Sequence, residues 1–160
     1  MSSTLQNQGG RLQRVIDGLA TLPVRALVTT GPALDPNAFR GSSNAVVLVS
    51  APHSEVLKDA SVVVIHGGHG TVVRALAAGV PMIVMPQGRD QADDAARVTS
   101  RRAGITINKN ARPAAVAAAV RRVLDDPRYR QAAQRLGRSI RADAQSGAMF
   151  TELEDLRSGA

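Results

Sequence analysis

Two of the three histidines, His66 and His69, stand in one short run, Ile65-His66-Gly67-Gly68-His69-Gly70-Thr71. Three glycines within four residues permit positive φ and let another group approach the backbone closely. An apolar run precedes them and an amphipathic pattern follows, so the glycines link a strand to a helix. A helix N-terminus presents unpaired N–H groups and a partial positive charge, which together suit a phosphate. Thr71 is expected to cap that helix or to donate its hydroxyl to the same anion. His66 adds a donor at the strand end, with His69 beside the cradle. The plainer reading is a tight turn with His66 bonded to the backbone. Neither common phosphate pattern is present. Gly68-His69-Gly70-Thr71-Val72-Val73 lacks the third glycine of G-x-G-x-x-G, and no Gly-Lys-Ser/Thr occurs. The cradle is of another kind.

Three further polar stretches stand at strand or helix ends. These are Ser50-Ala51-Pro52-His53, Pro86-Gln87-Gly88-Arg89-Asp90-Gln91, and the polar start Ser2 to Gln8 ahead of the first helix. Asp90 beside Gln91 pairs a carboxylate with an amide, a combination suited to gripping sugar hydroxyls, or equally to an N-cap and a first-turn polar residue. All three histidines fall among these loops, so no residue is assigned as general base and the catalytic list is empty. With zero cysteines, disulfide scaffolds, zinc–thiolate sites and cysteine catalysis are excluded, and a reducing cytoplasm is the compatible compartment. No metal site is expected.

The elements that must position these residues alternate along the chain. A helical pattern carries Leu12, Val15, Ile16 and Leu19, and Pro23 ends it. Strands are expected at Val24–Thr30, at Ala45–Val49 (buried), at Ser61–His66, at Pro81–Met85 and at Ile105–Ile107. Between them lie a loop from Pro32 to Ser43 and helices at His53–Lys58, from Val72 to Gly79, and at Asp90–Arg102. Helices at Pro113–Leu124, Pro127–Ala144 and Phe150–Leu156 finish the chain, with Asp126 as N-cap before Pro127. Such alternation implies an α/β fold, a Rossmann-like open and mostly parallel sheet with helices on both faces. Ligands bind such sheets beyond the carboxyl ends of the strands, where the loops above fall.

At 160 residues and 44% hydrophobic, the chain fits a single domain, 1–160, with a real core; it is neither disordered nor collagen-like. No apolar run reaches the roughly 20 residues of a membrane span. The net charge of +7 invites a nucleic-acid partner. Eighteen of the 20 cations are arginine, however, and eight of those, from Arg112 to Arg141, fall at helical spacing, opposed by Asp125, Asp126 and Asp143. A solvated helix face accounts for them better than a DNA stripe. Aromatics at 2% also disfavour a base-stacking single-strand binder.

Residues 45–98 resemble the donor-binding half of a GT-B glycosyltransferase, of the nucleotide-sugar-dependent kind that modifies natural products. The likeness rests on Ala51-Pro52-His53 with Val56-Leu57, on His66-Gly67-Gly68-His69-Gly70-Thr71, on Ala75-Leu76, on Gly79-Val80-Pro81, and on Pro86, Asp90-Gln91 and Asp94-Ala95. Their order and spacing are similar to the signature of plant secondary-product enzymes and, more closely, of their bacterial macrolide and antibiotic counterparts. The resemblance implies that His66 contacts the donor diphosphate, with Gly68, Gly70 and Thr71 as donors and Ser3 and Thr4 reaching it from the first loop. Ala51 and His53 would meet the nucleobase, Arg74 the ribose region, and Asp90 and Gln91 the transferred sugar. Where plant members carry a base-stacking Trp this chain has Ser50, and where they carry a ribose-binding Glu it has Arg74. The donor is then a UDP- or dTDP-sugar, with no metal or other cofactor.

The resemblance also implies a second, N-terminal domain that holds the acceptor and the catalytic base, and a strand ahead of the first helix. The chain reads as the C-terminal domain of an inverting, bacterial glycosyltransferase acting on a small hydroxylated acceptor, inactive alone. Three other classes stay open: a stand-alone donor-binding subunit completed by a separate acceptor chain, half of a nucleotide-sugar epimerase, and a basic nucleic-acid module. The last would show a steep salt dependence of DNA binding.

Overall fold

The computed structural model describes residues 3–145. The Phe150–Leu156 helix expectation lies outside the described residues, as do the side chains of Ser3, Thr4 and Asp90. Chain order is α1 (Ser3–Leu19), β1 (Ala26–Thr29), a 3-10 turn at Pro36–Ala38, β2 (Ala45–Leu48), α2 (His53–Asp59), β3 (Val63–Ile65), α3 (His69–Ala77), β4 (Met82–Val84), α4 (Arg89–Ser100), β5 (Gly104–Thr106), α5 (Pro113–Asp125) and α6 (Pro127–Gln145). All strand pairs are parallel. The α/β alternation is as expected.

Helices cover both faces of the sheet. On one face Val15 of α1 and Val116, Val120 and Val123 of α5 pack with Ile83 and Met85. On the other, Val72 and Ala75 of α3, Ala95 and Val98 of α4 and Ala133 of α6 pack on Met82 and Val84. The strand β4 is therefore buried on both sides, which is why its sequence is apolar at every position. Glycines allow the closest crossings. A Cβ at Gly18 of α1 would lie 2.6 Å from the Pro113 carbonyl oxygen of α5, and one at Gly137 of α6 would overlap the Leu76 carbonyl of α3.

Several expectations change. The first helix begins at Ser3 and runs through Gly9 and Gly10, so residues 3–8 are helix and not a loop. Packing of the Val15–Ile16 face against the core outweighs the roughly 1 kcal/mol that each glycine costs. The β2 strand, expected buried, is half open: Val46 is 58% exposed, and Leu27 and Leu48 on the same face are 41% exposed. In the register Leu27↔Val46 and Thr29↔Leu48, these side chains share the face that no described helix covers.

The expected single open sheet is interrupted. The strands form two sheets, β1–β2 and β3–β4–β5. Ala26 and Thr30 donate their N–H groups to Asn44 and Leu48, so the backbone of Leu27 and Thr29 faces away from β2. Val63 donates to Pro81 and Ile65 accepts from Met85, so Val64 faces away from β4. The outer edges of β1 and β3 thus carry no strand among the described residues. In the doubly wound order 3-2-1-4-5-6, the strand that leads into the first helix occupies the place between them. Asn44 steadies β1 from the other side, its Nδ2 donating to the carbonyls of Leu19, Leu22 and Val24 at 2.9–3.1 Å.

Three of the five arginines of α6 serve the fold. Arg130 donates to the Ala60 carbonyl at 3.2 Å, and Arg141 to the Ala77 carbonyl at the end of α3. Asp126 takes its expected capping place, accepting from the Arg128 N–H at 3.0 Å and from its guanidinium, which together hold the carboxyl below its ordinary value.

Candidate functional site

The run from His66 to Thr71 joins β3 to α3 as the sequence implies, with the helix starting three residues early. Gly67 carries the positive φ, +92°. Gly68 is the N-cap residue in an extended conformation, and no side chain caps the helix. Thr71 and Val72 return their N–H groups to the Gly68 carbonyl. Thr71 therefore lies inside the first turn, and its expected capping role is overturned; its half-buried hydroxyl sits at the same helix end. The N–H groups of His69 and Gly70 give to no described acceptor, and a Cβ on Gly70 would meet nothing within 4 Å.

His66 is exposed and makes no hydrogen bond to a described residue. Its Nε2 lies 2.9 Å from where a Cβ on Gly68 would stand, so the imidazole lies over the turn. The alternative in which the backbone satisfies His66 does not match this geometry.

Beyond the cradle, Ala51, His53 and Arg74 line one open groove of about 610 Å³ between α2 and α3, with Leu57 and Ala77 in its wall. Arg74 follows Gly70 by one helical turn, about 6 Å along the same face. The groove thus gathers the residues expected at the base and ribose. Ser3 and Thr4 begin α1, and their side chains lie outside the described residues.

Gln91 behaves differently from a free sugar ligand. Its Oε1 accepts the Gln87 N–H at 2.8 Å and closes the turn into α4, leaving Nε2 as the group available to a hydroxyl. Arg11 of α1 fastens the same loop, donating to Gln87 Oε1 at 3.1 Å and to Asn110 Oδ1 at 3.3 Å. Asp90 lies in the first turn of α4, whose N-cap is Gly88, so the N-cap reading of Asp90 falls.

Two features were not assigned from sequence. One is Arg11. The other is Asp94, 9% exposed, whose carboxylate lies 3.2 Å from His69 Nδ1 and 3.6 Å from Arg97. The signal for Asp94 was a charge inside an otherwise apolar helix face beside Ala95 and Val98. Among the described residues no cluster of three or more metal-ligating side chains occurs, and no helix is long and apolar enough to cross a membrane.

Comparison with known proteins agrees with this fold. Residues 15–156 match the family described as Erythromycin biosynthesis protein CIII-like, C-terminal domain. The chain is 34% identical over 145 residues to a PGL/p-HBAD biosynthesis glycosyltransferase of Mycobacterium tuberculosis (strain ATCC 25177 / H37Ra), covering 88% of this chain and 33% of that protein. It is 36% identical over 135 residues to 4'-demethylrebeccamycin synthase of Lentzea aerocolonigenes, covering 83% and 32%. Among solved structures, the calicheamicin glycosyltransferase CalG4 superposes with a TM-score of 0.83 at 26% identity, over 92% of this chain and 38% of that one. The chain spans about a third of the length of these curated relatives. On the match across most of its length, the chain belongs to the family of Erythromycin biosynthesis protein CIII-like C-terminal domains.

Proposed function

We propose that residues 1–160 form the donor-binding domain of a GT-B glycosyltransferase, holding a UDP- or dTDP-sugar beyond the strand ends. One observation carries the reading. The first N–H groups of α3 are uncapped, Gly70 leaves open space before them, and His66 stands there without a partner among the described residues. Nothing in the fold uses these donors, and together they make a diphosphate site. The base and ribose lie along the groove of Ala51, His53 and Arg74, and the sugar toward Asp90 and Gln91. Relatives named as glycosyltransferases support the class of reaction.

In the whole enzyme, a hydroxyl of a small acceptor attacks the anomeric carbon from the face opposite the diphosphate, and configuration inverts. Negative charge grows on the departing diphosphate. The helix dipole and His66 stabilise that charge, an electrostatic role that needs no metal or other cofactor. No residue of this domain takes the acceptor proton. The base and the acceptor pocket belong to an N-terminal domain, whether in the same polypeptide or in a partner subunit. Three of the five α6 arginines, Arg128, Arg130 and Arg141, are engaged with Asp126 or backbone carbonyls, which argues against a nucleic-acid stripe.

The experiment is ligand-observed NMR of the 160-residue chain with UDP and dTDP. A cleft with one wall binds weakly, with Kd of about 10⁻⁴–10⁻³ M, equivalent to about −4 to −5.5 kcal/mol. Lack of saturable contact with either ligand, from a folded sample, overturns the reading.

Arg74 makes a second test. Where an acid would accept from both ribose hydroxyls, arginine only donates. No acceptor is then left unpaired when a hydroxyl is missing, so wild type should separate UDP from dUDP by under about 1 kcal/mol. Arg74→Glu should shift the preference toward UDP, as read from the two affinities. A wild type that already favours UDP more than about tenfold has another residue reading the ribose.

A further inference from the structure

We propose that His69 is a further diphosphate-contacting residue and that Asp94 is its positioning residue, turning the imidazole so that Nε2 donates to a phosphate oxygen. The inference rests on the donor reading above and adds two side chains to it.

The argument begins with Asp94. It is the one charged residue recorded as buried among the described residues. A buried carboxylate is costly without partners. Arg97, three residues along the same helix, is 3.6 Å away and its side chain is 73% exposed, a distant and screened partner. The nearer one comes from another element. His69 Nδ1 lies 3.2 Å from Oδ2 and 3.5 Å from Oδ1. The Nδ1–H bond to a carboxylate selects the tautomer and fixes the ring, as carboxylates standing behind metal-bound histidines do.

His69 is an unlikely place for an imidazole on structural grounds alone. Its side chain is 74% exposed, so it contributes little to the core. It opens α3, where the helix dipole disfavours a cation. With Nδ1–H given to Asp94, Nε2 can donate only from a ring that carries both protons, the form that a carboxylate on one side and a phosphate oxygen on the other would hold between them as a charge-assisted donor. With Nδ1 turned to α4, Nε2 is the nitrogen left for a ligand. The residue sits between Gly68 and Gly70, in the turn whose N–H groups form the cradle. The same pair ties the start of α3 to α4, one turn after Asp90 and Gln91. It thereby sets the spacing between the phosphate end and the sugar end of the site.

The test uses the 160-residue chain with UDP as the probe. Imidazole ¹⁵N NMR of the free protein should show His69 protonated at Nδ1, a preference lost in Asp94→Ala, and UDP should shift the Nε2 resonance. The Kd for UDP should rise about tenfold in His69→Ala and in Asp94→Ala, the range for a charge-assisted bond partly screened by water. The double variant should be no weaker than either single one, whereas independent residues would multiply to about a hundredfold. Asp94→Asn keeps the shape and still accepts from Nδ1, so it should recover part of the affinity and covers the case in which Asp94→Ala misfolds. Multiplicative effects, an Nε2 resonance unmoved at saturating UDP, or a free His69 not protonated at Nδ1 each overturn the proposal. If His66→Ala weakens UDP while His69→Ala does not, the donor reading stands and this one falls. If wild type binds no UDP, both fall.

Discussion

His66→Ala is expected to weaken UDP and dTDP binding by about 1.5–3 kcal/mol, roughly 10- to 150-fold, while the melting temperature stays nearly unchanged. Two observations set these opposite outcomes. The imidazole is exposed and makes no hydrogen bond to a described residue, so its removal leaves no buried group unpaired and no cavity. Its ring also lies over Gly68, beside the uncapped start of α3, so a phosphate held by those N–H groups comes within its reach. Both quantities are measured on one variant, by thermal unfolding and by titration. A variant that melts earlier yet binds UDP as tightly as wild type would show that His66 serves the turn and not the ligand. Lys58→Ala is the control. Its ammonium is engaged with Glu55 at 2.9 Å on the exposed face of α2, away from the cradle, and affinity should not change.

Much of this was legible in the sequence because the signals are local. Four apolar residues, Val62 to Ile65, end in a histidine and glycines, and that pattern allows little besides a buried strand turning into a helix. What escaped depends on contacts distant in sequence. The early start of α1 opposes local preference at Gly9 and Gly10 and follows from packing on α5. An unbroken apolar run such as Ala45 to Val49 reads alike whether one face is covered or two, and here one stays open. The expectation that Thr71 caps its helix erred by one turn, since Gly68 takes that place. Asp94 interrupts an apolar helix face, but nothing local names its partner until α3 brings His69, 25 residues away in sequence, against it. The site was therefore readable as a set of loops, but its internal bonds, Gln91 to Gln87 and His69 to Asp94, were not.

Gly67→Ala and Gly70→Ala should have opposite consequences, although only two residues separate them. At Gly67 the backbone has φ of +92°, a region an L side chain rarely adopts, and a Cβ would lie 2.8 Å from Val84 Cγ1 and 3.3 Å from the Gln91 carbonyl. Val84 belongs to the fully buried β4 strand and cannot swing away. Backbone strain of about 1–3 kcal/mol joins an overpacking cost of about 1–3 kcal/mol, so Gly67→Ala should destabilise by about 2–5 kcal/mol. At Gly70 nothing lies within 4 Å, and the residue sits in the first turn of α3. Alanine there should be neutral or should stabilise by up to about 1 kcal/mol through helix propensity. Its methyl group, however, would occupy the space through which a phosphate reaches the His69 and Gly70 N–H groups, so UDP affinity should fall by at least about tenfold. Chemical denaturation and UDP titration on both variants give the four numbers. A Gly70→Ala protein that binds UDP as well as wild type would place the diphosphate elsewhere, because no ligand bound at that helix end leaves room for the added carbon.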